Sequence, residues 1–353
     1  AILQAVSSAE SANSLNKPGG IFLRRPDQMP EEDRILIQSV ARMIFTDQAG
    51  SLKDQIKSKR YLQPLLPKRL LPKDVRSVDN VAIPDIDRAK LTHANKFGGF
   101  STNGREYIIH TGKGNSTPAP WVNVISNPEF GTLVTESGAS FTWSENAREH
   151  RLTPWSNDPV TDLSGECLYL RDESTTDVWS PTPAPIPGNS DYKVVHGYGY
   201  TTFQTTTVGI STELTQFVSH DAPVKFFLLK VTNESSSSRQ LSATLFLELE
   251  LGEDRSKTKD YIVTESDPSD IPRRMIFEKN VFSSDFSGRT VFLSSTHKVK
   301  SLTCDRLEFL GRNGSIARPA ALIRDTLSGR VGALWDPCMA MQVTVDLAPH
   351  ESK

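Results

Sequence analysis

Apolar positions recur with one period before about residue 91 and with another after it. Upstream, Pro30 suits the first position of a helix, and Glu31, Glu32 and Asp33 suit the positive end of its dipole. Ile35, Leu36, Val40, Met43 and Ile44 then share one helical face, which predicts an amphipathic helix running until Gly50. A second, weaker helical stretch is expected over Ser51–Arg60. Elements of this size cannot bury themselves, so the apolar face must dock on something. Gln63–Pro84 carries Pro64, Pro67, Pro72 and Pro84 among basic residues and reads as an extended linker.

Beyond Leu91 the helical period gives way to short alternating runs separated by Gly, Pro, Asn, Asp and Ser. The clearest is Leu241–Leu251, in which Leu241, Ala243, Leu245, Leu247, Leu249 and Leu251 fall on one face. Phe226–Val231, Val291–Leu293 and Met341–Leu347 look similar. Strands half-buried on one side imply antiparallel sheets stacked as a sandwich rather than a parallel sheet with helical crossovers. The expected division is a tail and amphipathic helical segment over 1–62, a Pro-rich linker over 63–90 and a large, mainly β antiparallel sandwich over 91–353. Residues 1–20, rich in Ser, Ala and Asn, are expected to be loosely attached. The last strand-like run ends at Ala348 and the chain stops at Lys353, as expected of a domain boundary or a proteolytic end.

The formal net charge is −2, which argues against nucleic acid as a partner. No apolar run approaches the roughly 18–20 residues of a membrane span, and the first residues lack the basic start and apolar core of a secretory leader. Cys167, Cys304 and Cys338 have no metal-like spacing and read as buried thiols of a reducing, cytoplasmic compartment. His93, His110, His220 and His297 fit no metal spacing either, so no metal site is expected.

Thr117–Asn157 concentrates the candidate chemistry. It holds Trp121, Trp143 and Trp155 together with Asn123, Asn127, Asn146, Asn157, Arg148 and Arg151. Indole faces stack on pyranose C–H groups, while amides and guanidinium groups satisfy hydroxyls, so the stretch reads as carbohydrate-active. Trp121 and Trp179 sit in strand-like or Pro-bounded contexts that favour core packing. His150 is expected as an exposed loop histidine, and His196 as a structural hydrogen-bonding group. Glu248 and Glu250 lie one step apart on a strand face and could form a glycosidase pair, although a solvated sheet face is the commoner origin of alternating Glu. Asp158 and Asp162 read as turn formers or Arg partners. Gly112–Gly114, Gly197–Gly199 and Gly311–Gly314 lack the strand–helix context of phosphate loops and read as hairpin turns, Asn313–Gly314 most plainly. The basic residues Lys57–Arg60 and Lys68–Arg69 read as solvated linker.

Several long motifs follow in order: FGGFSTNGREYII (97–109), TPAPWVNVISNPEFGTLVTESGASFTW (117–143), RLTPWSNDPV (151–160), LYLRDESTTDVWSPTPAPI (168–186) and HGYGYTTF (196–203). With these the chain resembles the N-terminal β-sandwich region of glycoside hydrolase family 94. That family holds cellobiose phosphorylase, β-1,2-oligoglucan phosphorylases and the C-terminal part of cyclic β-1,2-glucan synthases. Residues 24–56 are similar to the segment preceding this domain in the synthases and the long oligoglucan phosphorylases. The resemblance implies a galactose-mutarotase-like supersandwich. It also implies an (α/α)6 barrel after the sandwich that carries the general acid, so no catalytic residue is expected in this chain. Inorganic phosphate would be a co-substrate of a phosphorylase parent, with no cofactor.

By the same resemblance, the loop around Trp143–Asp158 would reach the acceptor side of a glucan cleft. Trp143, Asn146, Arg148, Arg151, Trp155 and Asn157 are then the candidate sugar-contacting or cleft-shaping groups. The alternative makes the tryptophans sandwich core and the arginines partners of Glu145 or Asp158. The expected function is a non-catalytic carbohydrate-binding and structural module of a glucan phosphorylase or cyclic β-1,2-glucan synthase, with possible dimer contacts. A stand-alone glucan-binding module, or a complete enzyme using Glu248, are the competing readings.

Overall fold

The computed structural model describes residues 15–16, 20–25, 29–41, 44–47, 50–58, 90–112, 116–187, 190–267, 274–283, 286 and 288–353. The chain gathers into two units, residues 1–71 and 72–353. In the first, α1 spans Glu31–Val40 and α2 spans Leu52–Ser58. Pro30 occupies the N-cap rather than the first helical position. The helix predicted to reach Gly50 stops at Val40, because Ala41 turns extended. Near that end the Ser39 hydroxyl donates to the Leu36 carbonyl at 2.7 Å, a local bond that competes with helix continuation. No α1 residue is buried, and Ile35, Leu36 and Val40 are exposed. Met43, the predicted linker from Gln63 to Pro84 and most of its basic residues lie outside the described residues.

The second unit is mainly β. Its first strands are β1 (Gly98–Phe100), β2 (Glu106–Thr111), β3 (Val122–Ser126), β4 (Phe130–Thr135), β5 (Ser140–Ser144) and β6 (Glu166–Asp172). Then come β7 (Val178–Trp179), β8 (Tyr192–Gly197), β9 (Tyr200–Thr207), β10 (Ile210–Val218), β11 (Lys225–Asn233) and β12 (Arg239–Glu248). After α3 (Arg255–Thr258) follow β13 (Ile262–Ser266), β14 (Ile276–Asn280), β15 (Val291–Leu293) and β16 (Val299–Asp305). Short α4 (Arg306–Leu310) precedes β17 (Gly332–Ala333) and β18 (Pro337–Leu347).

These strands form four sheets, ordered β1-β2-β8-β9-β10-β11, β16-β18-β12-β6-β7, β15-β14-β13-β17 and β3-β4-β5. All named pairings are antiparallel. The six- and five-stranded sheets share apolar clusters: Ile210 and Val231 meet Leu170, Trp179, Leu241 and Val345, while Val194, Phe203 and Leu214 meet Leu168. Ile125 and Val134 bring the three-stranded sheet into the second of these clusters. Ile262 and Ile276 of the four-stranded sheet join Leu302, Met339 and Met341 of the five-stranded one.

The period-two run at Leu241–Leu251 becomes β12, which ends at Glu248. Contrary to the half-buried expectation, β12 is covered on both faces. Phe246, on the side opposite Leu245, packs with Tyr169, Phe309, Leu310 and Leu322 beneath α4 and the 3-10 turn Ala320–Ile323. The strand still alternates because Ser242 and Thr244 are buried with polar neighbours; Gln342 Nε2 reaches the Ser242 hydroxyl at 3.5 Å. Asn313–Gly314 is not a strand hairpin. It follows the C-terminus of α4, where Gly311 takes φ 86°, and leads to the 3-10 turn. Cys167, Cys304 and Cys338 are free, buried thiols.

Candidate functional site

The hairpin of β4 and β5 holds the aromatic part of the predicted site. Directly opposed residues share a face, and Gly131 stands opposite Trp143, with Leu133 opposite Phe141. A side chain at 131 would collide with the Trp143 indole, so glycine there lets the ring lie flat across the sheet. Trp143 packs at 5.3 Å on the Phe141 ring, and Trp155 stacks on the same ring at 5.1 Å. Both tryptophans are half-buried. Val122 and Val124 extend this face outward and are exposed.

After Trp143 the chain makes a tight charged loop and returns, closed by an antiparallel bridge between Trp143 and Arg151. Glu145 turns it with φ 64°. The Asn146 carboxamide oxygen accepts from the backbone N–H groups of Arg148 and Glu149 at 2.8 and 2.9 Å, which makes Asn146 the local turn former. Arg148 projects from the tip, 77% exposed, with Glu149 beside it at 3.4 Å. Arg151 folds back instead: its backbone exchanges two hydrogen bonds with Gly252, and its guanidinium reaches Glu250 at 3.4 Å. Asn157 is exposed with φ 49°. Asp158 caps the next turn by accepting from Val160 and Thr161, and Asp162 accepts from Thr135 and Ser137.

The six candidates therefore separate into several places. Trp143 and Trp155 belong to the outer face of the hairpin, Asn146 and Arg148 to the loop tip, and Arg151 to a buried contact behind it, while Asn157 sits on the following turn. The arginine partners expected from sequence are also redistributed. Glu145 pairs with Arg289 at 2.6 Å, not with Arg148 or Arg151. Arg289 and Phe286 are members of this neighbourhood that sequence reasoning missed; they lie more than a hundred residues away and carry no local signal.

His150, expected to be exposed, is buried. Its ring stacks on Phe286 at 4.2 Å and 4°, and Nδ1 sits 3.2 Å from the Ser144 carbonyl. Burial lowers its pKa, opposed by the Ser144 hydrogen bond and the Glu145 charge. His196 is structural as expected: Nδ1 meets the Thr201 hydroxyl and Nε2 the Trp121 carbonyl, each at 3.0 Å, and burial pushes it down to about 4. Asn123 and Asn127 also serve the fold. Their amides donate to Gly197 and Tyr200, and to Ser219 and Ala222, tying the three-stranded sheet to the six-stranded one. Trp179 is core, and Trp121 packs edge-on against Phe97 and Tyr107.

Glu248 and Glu250 do not occupy a solvated face. Glu248 lies within 3.1 Å of both Arg255 and Arg306, which also pair with Asp336. Glu250 is buried, and desolvation raises it to about 7 against the pull of Arg151. Among the described residues no group of three or more His, Cys, Asp or Glu is arranged to hold a metal ion. A cleft of about 1360 Å³ opens beside the loop, with Glu145, His150 and Arg289 at one end and Phe227, Leu245 and Met341 among its walls.

The described residues thus set an aromatic hairpin and an arginine-bearing loop on stacked antiparallel sheets. The family model for the glycosyl hydrolase 94 supersandwich domain matches residues 105–353, and the chain belongs to that family. It is 34% identical over 334 residues to the cyclic β-(1,2)-glucan synthase NdvB of Rhizobium meliloti (strain 1021), covering 92% of this chain and 12% of that protein. It is 26% identical over 261 residues to the N,N'-diacetylchitobiose phosphorylase of Vibrio proteolyticus, covering 72% of this chain and 32% of the relative. The solabiose phosphorylase of Paenibacillus borealis is 25% identical over 271 residues, at 72% and 33% coverage. The chain thus spans a third or less of the length of these relatives. Phosphate is a co-substrate in the family's phosphorylases, not a cofactor. No helix among the described residues is long and apolar enough to cross a membrane.

Proposed function

We propose that this chain is the non-catalytic, galactose-mutarotase-like supersandwich module of a β-glucan phosphorylase or a cyclic β-1,2-glucan synthase. In this reading residues 91–353 form the module and 63–90 link it to the helical segment. It shapes a glucan cleft completed by an (α/α)6 barrel elsewhere in the parent protein, and it works on the cytoplasmic side, with homodimer contacts as a further role. The loop 144–158 presents Arg148 and Asn146 toward sugar, Trp143 and Trp155 support it, and Asn157 stands on the adjoining turn. Arg151 positions the loop through Glu250.

The observation that carries this reading is the exposed Arg148 on a loop pinned at both ends, by the Trp143–Arg151 bridge and the Gly252 hydrogen bonds. An exposed guanidinium on a rigid turn is a preorganised donor for hydroxyl groups. A relative matched over 92% of this chain is a cyclic β-(1,2)-glucan synthase, which favours β-1,2-glucan as the ligand. The test is calorimetric titration of β-1,2-gluco-oligosaccharide into the full-length protein and its Arg148→Ala variant. A rise in Kd of roughly tenfold, equal to losing one charge-assisted hydrogen bond of about 1.5 kcal/mol, is expected with an unchanged melting temperature. Unchanged affinity would remove the loop from the sugar site.

A further inference from the structure

β11 lies at one edge of the six-stranded sheet, yet its last residues are paired on the open side. Val231 and Lys353 exchange two backbone hydrogen bonds at 2.7 and 2.9 Å, and the Asn233 N–H donates to the Glu351 carbonyl at 2.9 Å. Thr232 and Ser352 form the antiparallel bridge between them. Glu351–Lys353 thus begins a further strand beside β11 and reaches only its last three residues. Along Lys225–Lys230 no strand pairs on that side among the described residues. Antiparallel alternation places the N–H and C=O groups of Phe227 and Leu229 on the same open side as those of Val231.

The side chains here are equally underused. Phe227 and Leu229 point inward and are only half-buried, because the cleft of about 1360 Å³ lies between them and the five-stranded sheet. Leu245, Leu247, Met341 and Val343 face them from its other wall. An apolar trough beside a bare strand edge accepts one thing readily: an extended segment whose alternate residues are apolar.

We propose that the polypeptide immediately following Lys353 in the parent protein continues this strand along β11 and fills the cleft with its alternate side chains. The occupant is chosen by direction, since Lys353 already points along the bare edge in hydrogen-bonded register, and by the greater length of the relatives. In that register the second residue after Lys353 stands opposite Leu229 and the fourth opposite Phe227. Both face the cleft and are expected to be apolar. The first and third lie on the outer face beside Lys230 and Leu228. About six residues, or roughly 20 Å of strand, cover the edge to Lys225. The inference rests on the reading of this chain as a module of a longer protein, and is independent of sugar contact at Arg148.

The register can be read by cross-linking in the full-length protein. Leu228→Cys is combined with a cysteine at the third residue after Lys353, a non-hydrogen-bonded pair with Cα atoms about 4.5 Å apart, within disulfide reach. Cys167, Cys304 and Cys338 are buried and do not compete. Oxidation is expected to give an intramolecular disulfide at that position, and none when the second cysteine moves one residue either way. In the unmodified full-length protein, deuterium exchange at the Phe227 and Leu229 amides is expected to be slowed at least ~100-fold relative to unpaired amides. Fast exchange at both amides overturns the proposal, as does a native chain that stops at Lys353. A disulfide-linked dimer of the Leu228→Cys variant would assign the edge to a second copy and also overturns it. Slow exchange without the cross-link means that another strand pairs there, and this too overturns the proposal. None of these outcomes bears on the Arg148→Ala titration, so the two readings fail separately.

Discussion

Lys225 stands where three sheets meet, and replacing it tests how the candidate loop is held. From β11, Nζ donates to Glu166 Oε2 at 2.5 Å and to the Thr132 and Ser140 hydroxyls at 2.8 and 3.4 Å. Glu166, on β6, also accepts from Thr142, Thr153 and Ser140 at 2.5, 2.7 and 2.8 Å. The hydroxyls belong to β4, β5 and the strand-return after the loop, so this one ion pair fastens the hairpin to both large sheets. Lys225→Met keeps the volume and removes the charge, leaving a buried carboxylate with three hydroxyl donors and no counter-charge. Removing one partner of a buried pair costs about 3–5 kcal/mol. The three hydroxyls persist, so the lower end, about 3 kcal/mol, is expected, or on the order of 6–12 °C in Tm for a domain of this size.

The double variant Lys225→Met/Glu166→Gln should recover most of that loss, because a buried pair gains little over well-packed neutral groups. Burial pushes Glu166 up, but the Lys225 charge and the hydrogen bonds hold it below the usual carboxylate range. Burial pulls Lys225 below its own usual range, the opposite preference. The 2.5 Å contact and the surrounding hydroxyls favour the ionised pair. With the folded pKa of Glu166 depressed, its stabilisation is present above the unfolded carboxylate pKa and is lost as pH falls through the folded value. The deficit of Lys225→Met should therefore be largest near neutrality and shrink in acid. Urea denaturation from about pH 4 to 8 measures this. A loss below about 1 kcal/mol at neutral pH, or one that does not change with pH, would refute the reasoning.

Two other substitutions follow from the same geometry. Glu278 is buried, and among the described residues neither of its carboxyl oxygens has a hydrogen-bond partner; burial pushes its pKa well above the usual range, and the neighbouring Cys304 thiol opposes this only weakly. A raised folded pKa means that stability falls as pH climbs above the unfolded value near 4.5, so Glu278→Met should stabilise by about 1–3 kcal/mol at neutral pH, with the gain fading in acid; destabilisation at neutral pH in thermal melts would show a missed partner. Gly131→Ala should displace the Trp143 indole and cost about 1–3 kcal/mol, read as a lower denaturation midpoint with altered near-ultraviolet circular dichroism; a neutral outcome would mean the ring does not rest on that glycine.

Much of this protein was legible as sequence. Period-two alternation in Leu241–Leu251 and Met341–Leu347 located two neighbouring inner strands of the five-stranded sheet, because a pleated strand between a core and polar neighbours must alternate. The motifs from Phe97 to Phe203 carried the family, and the density of Trp, Asn and Arg between residues 117 and 157 marked the hairpin and its loop. Burial and partner choice were decided elsewhere. His150 became a buried ring because Phe286 stacks on it, and Glu250 became a buried group because Arg151 turns back toward it. Glu145 took Arg289 rather than a neighbouring arginine. Such pairings join residues far apart in the chain, and local periodicity holds no information about them. The second covering layer on β12 shows the same limit, since Ser242 and Thr244 look solvated in sequence and are buried only because α4 and its 3-10 turn lie over that face. Local propensity and pattern decide which segments become strands; which of their faces meet, and which charges are thereby desolvated, is set by how those strands stack.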